Sequence, residues 1–347
     1  MEQEIILNEH NKQEYKRVCL KDVKKSIYKD FFSHNEFVIG LDNRGLLYPT
    51  VWRGKESCNS LTFKEKNKYR RDIPNILIEI FDIKNKDLFL KKYNEAIMGD
   101  GNEWTRITTL HSSSLLTLLC FYSVSKDNPL SIGSYIFEES FFEVKTQVYQ
   151  DSESNMDVVL SGKDKVNGQK VVLFLESKFT EYLSCGKCDG ISRDAYYDKY
   201  DELSLFNEDA ISYINIRNTS DNKISIQPKN SKENNIYCTG IKQMLSHYIG
   251  VRNYAMNKNL SLGEHLSFEY IPAEKILLGE ILYDFKGKVG SSSKKMNNYR
   301  NVYSELAERI NSKQNEIMML GDIMTYQDVF SNNFIKEKNI RDFYNLN

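Results

Sequence analysis

Residues 155–182 read NMDVVLSGKDKVNGQKVVLFLESKFTEY, and this stretch decides the fold. Two runs rich in β-branched residues flank Asn167-Gly168, a dipeptide that favours a two-residue hairpin turn because both of its residues adopt positive φ. Val171–Leu175 is continuously apolar, which is typical of a strand buried on both faces. The sequence therefore predicts an antiparallel hairpin whose second strand lies inside a sheet.

The hairpin predicts which side chains share a face of the sheet. A two-residue turn places Asp157 opposite Lys178 and Val159 opposite Glu176. Opposite residues, and alternate residues along a strand, lie on the same face, so Asp157, Glu176 and Lys178 cluster, with the two carboxylates roughly 7–8 Å apart at the backbone. A bulge within residues 161–165 would change this register.

Charges at the end of a buried strand need partners or a metal, because an unpaired charge is costly to remove from water. Asp157 and Glu176 supply the hard oxygen ligands that suit Mg²⁺, which keeps several of its waters. Such an ion lowers the pKa of bound water and stabilises charge on a scissile phosphate. Lys178 would then orient the attacking water or stabilise the developing negative charge.

The Glu-x-Lys pattern alone is weak, since the chain has three copies, at residues 14–16, 143–145 and 176–178. The first lies in a charged, helix-like stretch, and the second lies on a predicted strand, where a solvated sheet face explains it. Only the third ends a buried strand with an aspartate placed opposite. The alternative interpretation of this third copy is a cross-strand salt bridge at a sheet end.

These residues carry a resemblance to a known family. MDVVL followed by VVLFLESKF resembles the PD-(D/E)xK superfamily of restriction-endonuclease-like nucleases, although Met156 stands where the family name has Pro. ESKFTE, the segment HSSSLLTLLCF, Glu143 and the segment IKQMLSHYIGVRNYA look more narrowly like a poorly characterised bacterial branch. The resemblance is at the level of motifs and spans roughly residues 105 to 330.

The resemblance implies a nuclease. Asp157 and Glu176 would bind Mg²⁺ or Mn²⁺, Lys178 would complete the catalytic site, and DNA would be the substrate, in a bacterial setting such as restriction or defence. No other cofactor is expected. The alternative is a nuclease-like fold that binds nucleic acid or a partner without cleaving it. The intact acid–acid–lysine set argues against this alternative.

Further residues are candidates for supporting roles. Glu143 is either an additional metal or water ligand or a solvated strand carboxylate. Gln243 and His247 share one helix face, which resembles the helix glutamine of some of these nucleases and is also explained by a polar solvent face. Glu181 is either close to the site or a cap for the following turn. Cys185 and Cys188 form one pair, whereas a zinc site needs four ligands, so no complete zinc site is expected.

The order of predicted elements indicates an α/β fold with a restriction-endonuclease-like core, in which helices flank a central mixed sheet. We place a mixed N-terminal extension at residues 1–105 and the core at 106–347. The predicted elements are a helix at 107–124, strands at 141–149, 155–160, 170–178 and 274–285, and helices at 193–206, 240–257, 296–310 and over the last fifteen residues.

Composition bounds the class of protein. The 347 residues are 40% hydrophobic, enough for a sizeable core, and the net charge of −1 argues against a generally basic nucleic-acid coat. The charged N-terminus and the short apolar runs predict no signal peptide and no membrane span, and hence a soluble cytoplasmic protein. The basic runs 64–71 and 286–300 could contact a phosphate backbone, although exposed charge on a soluble protein is the commoner meaning of such runs. A dimer is compatible with the sequence but is not indicated by it.

Overall fold

The computed structural model describes residues 40–41, 47–48, 73–75, 77–98, 107, 112–149, 152–219, 223–230, 236–256, 271–286, 289, 292–331 and 334–346. A mixed sheet of seven strands forms its centre. The strands of this sheet are β3 Leu130–Ile132, β4 Tyr135–Tyr149, β5 Ser152–Asp164, β6 Lys170–Lys178, β10 Lys275–Leu282, β11 Met318–Met319 and β12 Met324–Thr325. Their order across the sheet is β11-β10-β6-β5-β4-β3, with β12 also paired to β10. Strands β3 to β6 are antiparallel, whereas β10 runs parallel to β6.

The remaining strands lie outside the central sheet. A two-residue ladder joins β1 Gly40–Leu41 to β2 Leu47–Tyr48. Between β6 and the long helix that follows, a three-stranded sheet of order β7-β9-β8 is inserted, with β7 Cys188–Ser192, β8 Ile214–Asn218 and β9 Lys223–Pro228. This small sheet was not predicted from the sequence.

Helices cover both faces of the central sheet, as the predicted α/β class requires. They are α1 Lys86–Ala96, α2 Ser113–Phe121, α3 Arg193–Glu202, α4 Cys238–Ala255, α5 Ser292–Lys313, α6 Tyr326–Val329 and α7 Lys338–Tyr344. Phe174 packs its ring against Tyr254 of α4, with the centroids 5.0 Å apart. Ser177, on the opposite face of β6, contacts Tyr326 of α6 at 2.7 Å between hydroxyl oxygens. No helix in the described ranges is long and apolar enough to cross a membrane.

The predicted strand at 170–178 is confirmed, because β6 has these bounds and is buried from Val171 to Lys178. Strands β4 and β5 extend further than predicted, and α2 is shorter than the predicted helix at 107–124. Helix α2 begins where it does because the Ser112 hydroxyl accepts a hydrogen bond from Leu115 N at 3.0 Å, which satisfies one of the free N–H groups of the first turn. In the last fifteen residues, the described helix is Lys338–Tyr344.

The hairpin register differs from the prediction. Asp164 N donates to Gln169 O at 2.9 Å, and Gly168 N donates to Asp164 O at 2.9 Å, so the loop has four residues and not two. Gly168 supplies the positive φ of 72° that closes the loop. The observed pairs, such as Val158↔Leu175, are displaced by two residues from the prediction. A displacement of two keeps each side chain on its face, because the strand repeat is two.

The predicted boundary near residue 105 lies outside the described residues, and so does the basic run 64–71. Residues 73–75 and 77–97, which precede this boundary, pack on the common core. Phe89 of α1 meets Tyr122 edge-to-face with ring centroids 5.3 Å apart, and Phe81 meets Phe343 at 5.1 Å. These two ranges therefore contribute to the same hydrophobic core as the sheet.

Gly162 on β5 pairs with Phe137 on β4, next to an irregularity in the register of the two strands. A Cβ at this position would lie 2.0 Å from Ile136 O and 2.7 Å from Phe137 Cα. Both atoms belong to the backbone, so they cannot turn aside. We expect Gly162→Ala to lower the free energy of unfolding by about 3 kcal/mol, as measured by urea denaturation.

The matched control for this substitution is Gly321→Ala, since a Cβ at Gly321 meets no atom within 4 Å. This control should retain wild-type stability to within about 0.5 kcal/mol. Equal stability of the two variants would contradict the close approach of the strands at Gly162.

Candidate active site at the fork between two strands

The predicted residues lie where β5 and β6 separate. Their pairing ends at Val158↔Leu175, while β5 stays paired to β4 as far as Ser152, and β6 stays paired to β10 as far as Lys178. Asp157 is the first residue past the last pair. Its Oδ2 accepts a hydrogen bond from Ser177 N at 2.7 Å, so the carboxylate takes the place of a strand partner. The fork thus brings Asp157 beside the end of β6.

Glu176 is buried and both of its oxygens have cationic or polar neighbours. Lys178 Nζ donates to Oε1, and His247 Nε2 lies 3.0 Å from Oε2. Burial by itself would raise the pKa of Glu176, but Lys178 and His247 outweigh it and lower the pKa to about 2. Glu176 is therefore a carboxylate at any pH at which the protein would work.

Lys178 is also buried, and it holds its charge. Its Nζ donates to Glu176 Oε1 and, at 3.0 Å, to Gln243 Oε1 of α4. Burial disfavours the ammonium form, yet the surrounding carboxylates, Glu176 first, raise the pKa of Lys178 above its usual value. A fixed positive charge thus lies at the end of β6.

Asp157 has the opposite character. Part of its side chain is accessible to solvent, but protein atoms surround the carboxyl group closely. This burial raises the pKa of Asp157 well above its usual range. The charges of Glu176 and Glu143 raise it further, against the smaller effects of Lys178 and Ser177 N. A carboxylate under this repulsion gains stability from any cation that takes the proton's place.

Four carboxyl side chains lie in one row across the sheet. Glu280 on β10 pairs directly with Glu176 on β6. Glu143 on β4 lies level with Asp157, since the pairs on either side of it are Phe142↔Val158 and Val144↔Met156. Glu143 is buried and has a φ of 49°, a region that residues other than glycine rarely adopt. The row therefore runs Glu143, Asp157, Glu176, Glu280.

Glu280 was not among the site residues predicted from the sequence. This residue is fully buried, and the hydroxyl of Tyr299 on α5 lies 3.0 Å from each of its two carboxylate oxygens. The signal was present as a carboxylate between the apolar residues of the strand KILLGEIL, whose other charged residue is Lys275 at its start. Within the basic run 286–300, Tyr299 and Lys295 are buried, so neither side chain is available to a phosphate backbone. Lys295 Nζ donates to Leu183 O at 2.7 Å.

Two further predictions concern the surroundings of the site. Gln243 lies at the site, in contact with Lys178, so the solvent-face interpretation of Gln243 and His247 is wrong, and His247 is buried. Glu181 Oε2 accepts a hydrogen bond from Phe179 N at 2.7 Å, and its charge contributes to the raised pKa of Glu280, so Glu181 lies close to the site.

Three thiols lie near one another beyond the site. Cys238, buried at the start of α4, is within electrostatic range of both Cys185 and Cys188, although burial is the main reason that its pKa is raised to about 12. Within the described residues, no three His, Cys, Asp or Glu side chains are arranged so that they could hold a metal ion. The expectation that Cys185 and Cys188 belong to no complete zinc site stays a prediction.

The donor set at the fork nevertheless suits a hard divalent cation. Asp157 and Glu176 are oxygen donors on adjacent strands, and Mg²⁺ commonly uses one or two carboxylates and retains its waters. Burial first, and then the charges of Glu176 and Glu143, raise the pKa of Asp157, and Lys178 offsets them only in part. Comparison of the chain with protein-family models, curated proteins and solved structures found no match.

Glu280 predicts a dependence of stability on pH. Burial raises its pKa to about 8, against the lowering effect of Lys178, from an ordinary 4.5. Between these values the folded state binds more protons than the unfolded state, so stability falls as pH rises toward 8. The variant Glu280→Gln should not show this loss. At pH 8.5 its free energy of unfolding should exceed that of wild type by roughly 3–5 kcal/mol. The measurement is urea unfolding with EDTA present.

The two proteins should be nearly equal in stability at pH 5, where Glu280 is protonated in the folded state. Asp157 contributes a slope of the same sign to both, because its pKa is raised as well. The exposed-face variant Glu138→Gln should keep the wild-type profile, since Glu138 pairs with Lys163 near the other end of β5. If the stability of wild type and of Glu280→Gln changed with pH in parallel, the raised pKa of Glu280 would be contradicted.

Proposed function

We propose that this protein is a metal-dependent nuclease with a restriction-endonuclease-like core, which hydrolyses phosphodiester bonds in DNA with Mg²⁺ or Mn²⁺. One observation carries the proposal. Two strands separate so that Asp157 lies beside the end of β6, within electrostatic range of Glu176, and the charged Lys178 contacts both Glu176 and Gln243. The mixed sheet flanked by helices supports the fold assignment, and the motif resemblance supports the reaction.

The proposed roles follow from charge and contact. Asp157 and Glu176 would hold the cation, which when bound activates water and stabilises charge on the phosphate. Lys178 would orient the attacking water and stabilise the developing negative charge, a role that requires a fixed ammonium. Gln243 orients Lys178, because its Oε1 accepts from Nζ at 3.0 Å. Glu143 adds a negative charge beside Asp157.

A second candidate function is a binding module with this fold and no cleavage. The observation that favours it is the pairing of Glu176, whose two oxygens already contact Lys178 and His247. A carboxylate satisfied by these partners can serve as a buried salt bridge without any metal. This candidate predicts DNA binding that is indifferent to divalent cations at the fork.

One assay separates the two candidates. Purified protein is incubated with supercoiled plasmid, linear duplex and single-stranded DNA in Mg²⁺, in Mn²⁺ and in EDTA. The nuclease proposal expects cleavage of at least one substrate in Mg²⁺ or Mn²⁺ and none in EDTA. Binding of DNA without cleavage in any divalent metal would favour the binding module.

A further inference from the structure

His247 connects helix α4 to both strands of the fork. Its Nε2 lies 3.0 Å from Glu176 Oε2 on β6, and its Nδ1 lies 2.6 Å from the Ser154 hydroxyl on β5. Ser154 and His247 are both buried. The ring therefore lies between the strand that carries Asp157 and the strand that carries Glu176.

The two polar residues of α4 act on opposite ends of one ion pair. Gln243 and His247 are one helical turn apart, so their side chains lie on the same stripe of the helix. Gln243 contacts Lys178 Nζ, and His247 contacts the oxygen of Glu176 that Lys178 leaves free. One helix thus sets the orientation of both members of the pair.

Ser154 removes the remaining freedom of the His247 ring. An imidazole with one contact can rotate about its Cβ–Cγ bond and exchange the positions of its ring atoms. The contact at 2.6 Å from the Ser154 hydroxyl to Nδ1 fixes the side of the ring that faces β5, so Nε2 is left facing Glu176. Ser154 itself lies three residues before Asp157 on the same strand.

We propose that His247 is a positioning residue that holds the Glu176 carboxylate in one rotamer through the 3.0 Å approach of Nε2 to Oε2, and that Ser154 anchors His247. The catalytic consequence rests on the proposed nuclease function. A metal-binding carboxylate that can swing loses affinity and activity, and loss of the group that orients such a ligand typically costs about 10–100-fold. The proposed chain of contacts is Ser154, His247, Glu176.

The test compares Ser154→Ala, His247→Ala and His247→Gln with wild type. Glutamine places an amide N–H near the position of Nε2, so it retains the donor toward Glu176 and loses the acceptor toward Ser154. We expect His247→Ala to lower kcat by about 10–100-fold with KM for DNA little changed, and His247→Gln to recover part of this loss. Ser154→Ala should lower kcat less, and should add nothing in the His247→Ala background.

The control is Ser246→Ala, a buried serine on the same helix whose hydroxyl donates to Lys242 O at 3.0 Å, away from the fork. This variant should keep wild-type kcat. The proposal is overturned if His247→Ala lowers only thermal stability and leaves kcat unchanged, or if Ser154→Ala and His247→Ala have additive effects.

A second measurement does not depend on cleavage. In protein labelled with ¹⁵N-histidine, the ring nitrogens of His247 should show Nε2 as protonated, with a shift that changes on Glu176→Gln. If wild type never cleaves DNA, the proposed function fails while this spectrum still tests the contact. An unprotonated Nε2 would overturn the positioning role whether or not the protein is a nuclease.

Discussion

Asp157→Asn, Glu176→Gln and Lys178→Met are each expected to reduce metal-dependent DNA cleavage by about 10³-fold or more. The reasons differ between the residues. Either amide removes a charged oxygen ligand and, with it, several kcal/mol of transition-state stabilisation. Methionine keeps the length of Lys178 but removes the ammonium that stabilises negative charge. The measurement is the initial rate of plasmid relaxation and linearisation in Mn²⁺.

Matched controls lie on β6 and β4, away from the candidate site. Lys170→Ala changes an exposed lysine at the start of β6, and Glu138→Gln changes a carboxylate on β4 that pairs with Lys163 at 2.8 Å. Both should cleave at the wild-type rate. Circular dichroism must show folded protein for every variant, because Lys178→Met leaves Glu176 buried without its main partner. Wild-type cleavage by all three site variants would make the cluster a salt bridge at a sheet end.

The sequence was sufficient to predict the buried strand and the shared face of its charges. Val171–Leu175 has no polar residue, so only a strand covered on both sides accommodates it, and β6 is buried as expected. The turn was predicted with the wrong length, but the predicted face of each side chain was still correct. The register differs by two residues, and the side-chain repeat of a strand is also two. A displacement of one would have separated Asp157 from Glu176.

The turn itself was mispredicted because a local interaction competes with the Asn167-Gly168 preference. The Asp164 carboxylate accepts a hydrogen bond from Val166 N at 2.9 Å. With this contact the loop also includes Lys165 and Val166, the two residues before Asn167. Val166 is then 87% exposed, although it was expected to continue the strand. Aspartate commonly binds the backbone N–H two residues on in this way, so this signal was present in the sequence.

Contacts between distant segments could not be predicted. Glu280 joins the carboxylate row only because β10 pairs in parallel with β6, across a crossover of about a hundred residues. His247 and Ser154 meet at 2.6 Å although they are 93 residues apart in the chain. Periodicity indicates that each residue lies on an amphipathic helix or strand, and it carries no information on which distant side chain it meets.

Metal affinity separates the roles of the carboxylates from the role of Lys178. We expect Asp157→Asn and Glu176→Gln to weaken Mn²⁺ binding at least about 10-fold, since each removes one charged ligand. Lys178→Met should bind Mn²⁺ as tightly as wild type or more tightly. The measurement is isothermal titration calorimetry with Mn²⁺ and no DNA, with Glu138→Gln as the control that retains wild-type affinity.

The expectation for Lys178→Met follows from electrostatics at the fork. An ammonium is not a metal ligand, and in wild type it repels a divalent cation across a few ångströms of buried space. Lys178 also contacts Glu176 Oε1, so its removal frees that oxygen for a cation. Loss of Mn²⁺ affinity in Lys178→Met, equal to the loss in the carboxylate variants, would mean that Lys178 maintains the shape of the site and not its charge. Absence of Mn²⁺ binding in wild type at millimolar concentrations would instead remove the metal from the proposal, and Asp157 would then carry a proton where a cation was expected.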